Sequence, residues 1–235
     1  MVDPVTHAQA LEQARMANER VAAILKVADE HERIVKRLQK MHAEVLEGYR
    51  VETSKARRER DRSRGLLDEP TMMGIVEQAK QVCPLVIFTL DPGPLAALDR
   101  DSSAGPMRNK LADTLATMQD YAEAKSLARA TGGAAGPTLA NLLTYTKAGH
   151  GYLSAQKLAL KESDQVMTDR TYAAARLFSV PDDVDAAGRV PMYAHVRIGS
   201  GKPPAARLHY YDDTDNTGLI IVGYIGEHLP SPSKN

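Results

Sequence analysis

The feature that most constrains this chain is a proline-free run from Val5 to Glu69, in which only two residues are glycine. From Ala10 to Tyr49, apolar and small residues recur at alternating spacings of three and four. Such a repeat over about five heptads predicts a helix with a continuous apolar seam. At ~1.5 Å per residue, roughly sixty residues extend on the order of 90 Å, too far for the rest of the chain to cover. We therefore expect residues 1–68 to form a coiled-coil arm that pairs with a second copy or with another helical protein.

Two histidines, His31 and His42, fall within this seam. One interpretation is a polar pair in the core that helps to set the register of the paired helices. The other is a metal-binding or pH-sensing role. The sequence leaves both open.

The end of the run is rich in cations. They are Lys55, Arg57, Arg58, Arg60, Arg62 and Arg64, interrupted by two acids. Cations at this density are typical of a contact with nucleic acid. They also suit the solvated end of a helix, where ion pairs and the helix dipole stabilise positive charge.

Composition narrows the class of protein. The formal net charge is zero, so the overall charge demands no acidic partner. The single cysteine, Cys83, excludes an intramolecular disulfide framework and favours a reduced, cytoplasmic compartment. No apolar run has the length of a signal-peptide core or a bilayer span, so we expect no membrane partner.

The middle of the chain alternates between helical and strand patterns. Apolar periodicity predicts helices over 72–82, 104–130, 139–147 and 164–175, and short strands over 85–90 and 176–180. Period-two alternation then predicts three consecutive strands over 190–198, 206–211 and 219–225. We expect an α+β domain over 69–230, with helices covering an antiparallel sheet, followed by a disordered tail over 231–235.

Polar side chains collect on one face of this three-stranded meander. They are His195, Arg197, Arg207, His209 and Tyr211, with His228 just beyond the last strand. Arginine binds phosphate oxygens, histidine transfers protons and tyrosine stacks on bases. Such groups can cleave RNA through its own 2′-hydroxyl with no metal or cofactor. A solvated sheet surface is the alternative, and a divalent-ion site built from His209, Asp212, Asp213 and His228 is a third.

Three segments of the meander, Met192–Ile198, Ala206–Asp213 and Gly218–Tyr224, resemble the RelE/ParE/HigB toxin superfamily. The resemblance implies a RelE-like fold, an endoribonuclease toxin or an inactive relative, and Arg197, Arg207, His209 and Tyr211 as site residues. The cationic helix of the family has Lys157 and Lys161 as its candidates here. These toxins are small single domains, whereas this chain carries an arm and a long insertion. The terminal segment also resembles a run in uncharacterised actinobacterial proteins, with a Val-Gly-Tyr-Ile-Gly-X-His-Leu ending.

A non-enzymatic function stands beside the nuclease. The arm would oligomerise the protein, or bind a helical partner, and the α+β domain would bind a second protein. Candidate partners are thus another copy of the chain, another protein, RNA or DNA.

Overall fold

The computed structural model describes residues 4–131, 136–199 and 204–232, and within the first helix it describes side chains at 12–42 and at 44. The last three residues of the expected tail lie outside this range, as do residues 1–3, 132–135 and 200–203. Backbone contacts divide the chain into two units, Met1–Lys55 and Ala56–Asn235. The domain limits expected from the sequence, 1–68 and 69–230, stay a prediction.

The protein is of the α+β class, as expected. Its α-helices are α1 (Pro4–Arg64), α2 (Met72–Val82), α3 (Pro92–Asp99), α4 (Ala104–Ala130), α5 (Leu142–Lys147), α6 (Asp164–Thr168) and α7 (Arg170–Ala174). Its strands are β1 (Val86–Phe88), β2 (Leu158–Ala159), β3 (Leu177–Ser179), β4 (Arg189–Pro191), β5 (Ala194–Arg197), β6 (Arg207–Asp213) and β7 (Leu219–Gly226). Short 3₁₀ turns span Leu66–Asp68, Pro137–Leu139 and Ala155–Lys157.

The long N-terminal helix is confirmed over 61 residues. It ends at Arg64 and is followed by Gly65, whose φ of 69° lies in the left-handed region that glycine adopts without strain. Pairing of α1 into a coiled coil stays a prediction. None of the helices within the described residues combines the length and apolar content that a membrane crossing requires.

The main sheet has five strands in the order β1-β7-β6-β5-β2. The pairs β7–β6, β6–β5 and β5–β2 are antiparallel, whereas β1 runs parallel to β7. The sheet is therefore mixed, and the expectation of a purely antiparallel sheet was wrong. The reason is that β1 precedes the meander by about a hundred residues and reaches its edge through the helical crossover.

The segment expected as one strand over 190–198 forms two. β4 pairs with β3 in a separate two-stranded sheet, and β5 joins the main sheet. Met192 and Tyr193 separate them in an irregular stretch. Strands β3 and β4 thus form a small second layer. It packs against one end of the main sheet, on the face that we call the outer face.

One extra residue in β7 changes which side chains share a face. His209 of β6 pairs with Tyr224 and Tyr210 with Val222, so Gly223 is left between two ladder positions as a bulge. A Cβ atom at Gly223 would lie 2.6 Å from Met192 and from Phe178, so only glycine fits there. Period-two alternation predicts that Ile221 and Ile225 share a face, but because of the bulge they lie on opposite faces of the sheet.

The main core lies on the inner face of the sheet. The apolar stripe of α4 is buried there and consists of Met107, Leu111, Leu115, Met118 and Ala122. They pack with α2, α3, α5 and inward residues of the strands such as Val196 and Leu208. The outer face instead carries a small apolar cluster made by Val180, Val190, Met192 and Ile221.

A polar clamp fixes the β6–β7 turn to α4. Tyr121 donates a hydrogen bond to Asp212 at 3.0 Å, and the buried Lys125 ammonium lies 2.9 Å from Asp215. Arg129 donates to the backbone oxygen of Thr214 at 2.9 Å. Side chains from three successive turns of α4 thereby hold the β6–β7 turn. These contacts fix the register of β6 against β7, the longest strand pair.

N-cap residues determine where two helices begin that apolar periodicity did not predict. Asp91 accepts a hydrogen bond from the backbone of Gly93 and starts α3 with a proline in its first turn, where the sequence indicated only the end of a strand. Asp169 caps α7 in the same way, so the helix expected over 164–175 is two short helices.

Ile221→Ala should lower the free energy of unfolding by about 2–5 kcal/mol, because Ile221 is fully buried between the sheet and the second layer. Chemical denaturation would measure this. Leu160→Ala is the matched control, since its side chain is 40% exposed and its loss should cost under ~0.5 kcal/mol. Equal losses in the two variants would contradict the placement of Ile221.

Candidate functional site

The best candidate site lies on the outer face of the main sheet, beside the β3–β4 layer. We call it the His–Arg cluster, and it contains Glu162, Arg176, His195, Arg197, Arg207, His209 and His228. Pairing of β5 with β6 places His195 opposite His209 and Arg197 opposite Arg207. Because side chains two apart share a face of a strand, these four lie together, as the alternation predicts.

Other residues expected at the site lie elsewhere. Tyr211 shares the outer face but packs with the apolar cluster under the second layer. Lys157 is exposed next to Gln156, whose backbone oxygen accepts a 2.7 Å hydrogen bond from Arg197. Lys161 is exposed and lies 3.6 Å from Asp164. The side chains of Lys55, Arg57, Arg58, Arg60, Arg62 and Arg64 lie outside the described residues. His31 and His42 are exposed on α1.

Arg176 is the organising cation of the cluster. Its side chain is fully buried, and its Nε donates to Glu162 at 2.6 Å. Its Nη1 donates to the backbone oxygens of Tyr172 and Pro230 at 3.0 and 2.9 Å. One guanidinium thus joins the segment before α6, the middle of α7 and the C-terminal segment.

The two facing histidines are held by backbone carbonyl groups. Nδ1 of His209 lies 2.9 Å from the oxygen of Met192, and Nδ1 of His195 lies 3.1 Å from the oxygen of Tyr193. A carbonyl oxygen only accepts, so each Nδ1 carries the proton and each Nε2 keeps its lone pair. The ring centroids are 5.1 Å apart.

Burial keeps these histidines neutral. It lowers the pKa of His209 to about 3, and the neighbouring His195 and Arg176 act in the same direction. Burial also lowers the pKa of His195, although Tyr193 and Glu162 oppose this shift. The pKa of His228 is lowered by burial and then by Arg207. The positive charge of the cluster therefore resides on its arginines.

Arg207 is nearly buried, with 7% of its surface exposed. Its Nη1 donates to the backbone oxygens of Ala205 and Ala206. Burial lowers the pKa of Arg207, and the nearby Arg197 lowers it further, although the group stays charged at any physiological pH. Ala205 has a φ of 44°, a conformation that L-residues rarely adopt.

A half-buried aromatic pair borders the cluster. The rings of Phe178 and Tyr224 stack with centroids 5.6 Å apart, and Tyr224 meets His209 edge-on at 5.9 Å. Burial raises the pKa of Tyr224 to about 12, so its hydroxyl stays protonated and donates to Glu227. These rings form an apolar wall on one side of the histidines.

The alternative ion site considered from the sequence is not assembled. Asp212 is engaged by Tyr121 and Thr214, and Asp213 by Asn216 and Thr217, all at the β6–β7 turn. The two aspartates serve the loop, whereas His209 lies in the cluster.

Sequence reasoning missed Glu162 and Arg176, which come from outside the meander. Glu162 directly precedes Ser163, the cap of α6, and Arg176 directly precedes the apolar strand β3. A charged residue just ahead of a short apolar strand was the available signal, but burial of its side chain depends on tertiary packing.

No family model, curated protein or solved structure matches the chain.

The free energy of unfolding should fall as the pH drops below about 6.5, the ordinary histidine value, towards 3. Between these pH values His209 binds a proton in the unfolded chain but stays neutral in the folded protein. Each pH unit therefore lowers the free energy of unfolding by up to about 1.4 kcal/mol. Denaturation between pH 7 and pH 4 with a chelator present measures this slope. His209→Gln should have the shallower slope, and equal slopes would contradict the assignment.

Proposed function

We propose that the protein binds RNA through the His–Arg cluster and cleaves it by attack of a ribose 2′-hydroxyl on the adjacent phosphate, with no metal ion in the reaction. The observation that carries this is a pair of buried cations with unused donors. Nη2 of Arg176 and Nε of Arg207 are buried and have no hydrogen-bond partner in the described part of the chain. An unpaired buried donor costs about 1–3 kcal/mol, which an anion accepting its hydrogen bond would recover.

A phosphodiester suits this arrangement of charge. It offers two non-bridging oxygens, and guanidinium groups bind such oxygens with paired, charge-assisted hydrogen bonds. Arg176 and Arg207 lie within electrostatic range of one carboxylate, Glu162, and Arg197 lies within such range of Arg207. The exposed Arg197 lies at the rim with Lys157 nearby, so the positive charge extends from the surface to the buried donors.

Proton transfer falls to His195. Its side chain is 13% exposed, and its Nε2 lone pair is directed by the bond that Nδ1 makes to Tyr193. In the proposed reaction Nε2 takes the 2′-hydroxyl proton, the 2′-oxygen bonds to phosphorus, and the bond to the 5′-oxygen breaks. The leaving oxygen takes a proton from solvent water, and His195 returns its proton to the solvent, giving a 2′,3′-cyclic phosphate and a 5′-hydroxyl. His209 is neutral and buried, and it positions the neighbouring ring of His195.

The resemblance to the RelE/ParE/HigB toxins belongs to this same proposal. It supports a toxin-like endoribonuclease, or an inactive relative that retains RNA binding. Phe178 and Tyr224 add a surface on which an unpaired base can stack beside the reacting phosphate.

A second candidate function, an oligomeric scaffold, is favoured by the surface of α1. Nine large apolar side chains between residues 16 and 41 are 46–67% exposed: Met16, Val21, Ile24, Leu25, Val27, Ile34, Val35, Leu38 and Met41. A stripe this long on one helix is typical of pairing with another helix. The two functions are compatible, since an arm can assemble subunits that each carry a cluster.

Single-stranded RNA should bind the protein and be cut, and both Arg197→Gln and Arg207→Gln should weaken binding about tenfold by removing one charge-assisted contact. Arg197→Gln is the cleaner variant, because its exposed side chain contributes little to folding. Arg207→Gln should also lower the melting temperature, because its buried hydrogen bonds are lost. Gel shifts at two salt concentrations, with melting curves on the same samples, measure these effects.

Lys147→Gln is the matched control, an exposed cation on α5 beyond the other face of the sheet. An oligonucleotide with one 2′-deoxy position should bind but resist cutting there. Undetectable RNA binding by the unmutated protein at low salt would overturn the proposal.

The arm should hold the protein in an oligomer that Ile24→Gln with Leu38→Gln dissociates. Each aliphatic side chain removed from a helix pair costs about 1.5–3 kcal/mol, so the dissociation constant should rise at least about 100-fold. Lys26→Gln with Lys40→Gln is the control, since these positions lie two residues further on, across the helix. Light scattering measures the state, and an unmutated protein that is monomeric at high micromolar concentration would contradict self-association.

A further inference from the structure

We propose that Glu162, His195 and His209 form a binding site for a divalent transition-metal ion of the zinc type. Each residue offers one ligand atom, and the three atoms lie within 4.8 Å of one another. Two imidazole nitrogens and a carboxylate oxygen are a common protein ligand set for such ions. The inference does not rest on the proposed RNA cleavage.

The three ligands accept or donate hydrogen bonds of the kind that orient metal-binding side chains in proteins. Both histidines donate Nδ1–H to a backbone carbonyl, which fixes the ring and leaves Nε2 as the nitrogen with a free lone pair. Nδ1 of His195 lies 3.9 Å from Oε1 of Glu162, so the imidazole and the carboxylate are close neighbours. Arg176 holds one oxygen of Glu162, and a carboxylate has a second oxygen with which to bind an ion. The site therefore has its supporting hydrogen bonds in place around the ligands.

The donor atoms select the ion. Imidazole nitrogen suits Zn²⁺, Co²⁺ and Ni²⁺, whereas Mg²⁺ and Ca²⁺ prefer an all-oxygen shell. Three protein ligands leave the fourth tetrahedral position open for water or a phosphate oxygen. The nearby guanidinium groups of Arg176 and Arg207 repel a cation, so we expect a dissociation constant on the order of 1–10 μM rather than the far tighter binding of a structural zinc site.

Metal binding and the proposed cleavage would use the same nitrogen of His195 for different purposes. An ion on Nε2 takes the lone pair that would accept the 2′-hydroxyl proton. The phosphate contacts lie on arginines, which the ion does not occupy. Zinc should thus stop cleavage without releasing RNA.

The test is a titration of the full-length, chelator-stripped protein with Zn²⁺ by calorimetry and with Co²⁺ by visible absorption. We expect one equivalent to bind with the ligand-field bands of a nitrogen- and oxygen-coordinated ion, and zinc to raise the melting temperature. Glu162→Gln and His195→Gln should each weaken binding at least tenfold. His150→Gln, at a histidine that stacks on Tyr145 outside the His–Arg cluster, should bind as the unmutated protein does.

Absence of saturable binding, or unchanged affinity in both ligand variants, would overturn the site. His195→Gln guards against unfolding as an explanation, because its ring is partly exposed and its melting curve can be checked. Zinc added to a cleavage assay should abolish cutting while the gel shift remains. If the unmutated protein cuts no RNA, the titration alone decides the metal site, so the two proposals fail separately.

Discussion

The site depends on one buried ion pair. A guanidinium removed from water is tolerated only when it is paired and hydrogen-bonded, because desolvating an isolated charge costs several kcal/mol. Arg176 meets this requirement by drawing Glu162, the middle of α7 and Pro230 around it. These hydrogen bonds help to hold the three segments together at the outer face of the sheet. The same ion pair therefore both folds this region and sets the geometry of the cluster.

Sequence patterns correctly predicted the helices that depend on interactions within a few residues. The helices over 72–82 and 104–130 have the expected bounds, since apolar periodicity and capping both act within a few residues. The sheet was harder, because alternation continues through Val190–Ile198 although the chain changes sheets at Met192. Period-two spacing reports which side chains alternate and carries no information about which strand they pair with.

The bulge at Gly223 illustrates the same limit at one residue. It shifts the face of every later residue in β7, which brings Tyr224 beside His209 and leaves Ile225 in the main core. Five of the seven cluster residues could be predicted, since His195, Arg197, Arg207 and His209 lie on adjacent strands and His228 follows the last one. Glu162 and Arg176 could not, because their position depends on packing between segments that lie far from the meander in sequence.

Burial gives the arginines and the histidines of the cluster different chemical roles. Burial lowers the pKa of His195 and His209, so near neutral pH they contribute lone pairs rather than charge. The arginines keep their charge even when buried, and they supply an attraction for anions that does not vary with pH in this range. An anion and a metal ion would consequently bind to different atoms of one cluster. In the two proposals, electrostatics alone would not force a choice between them. They would compete only for Nε2 of His195, whose electron pair both proton transfer and metal coordination would need.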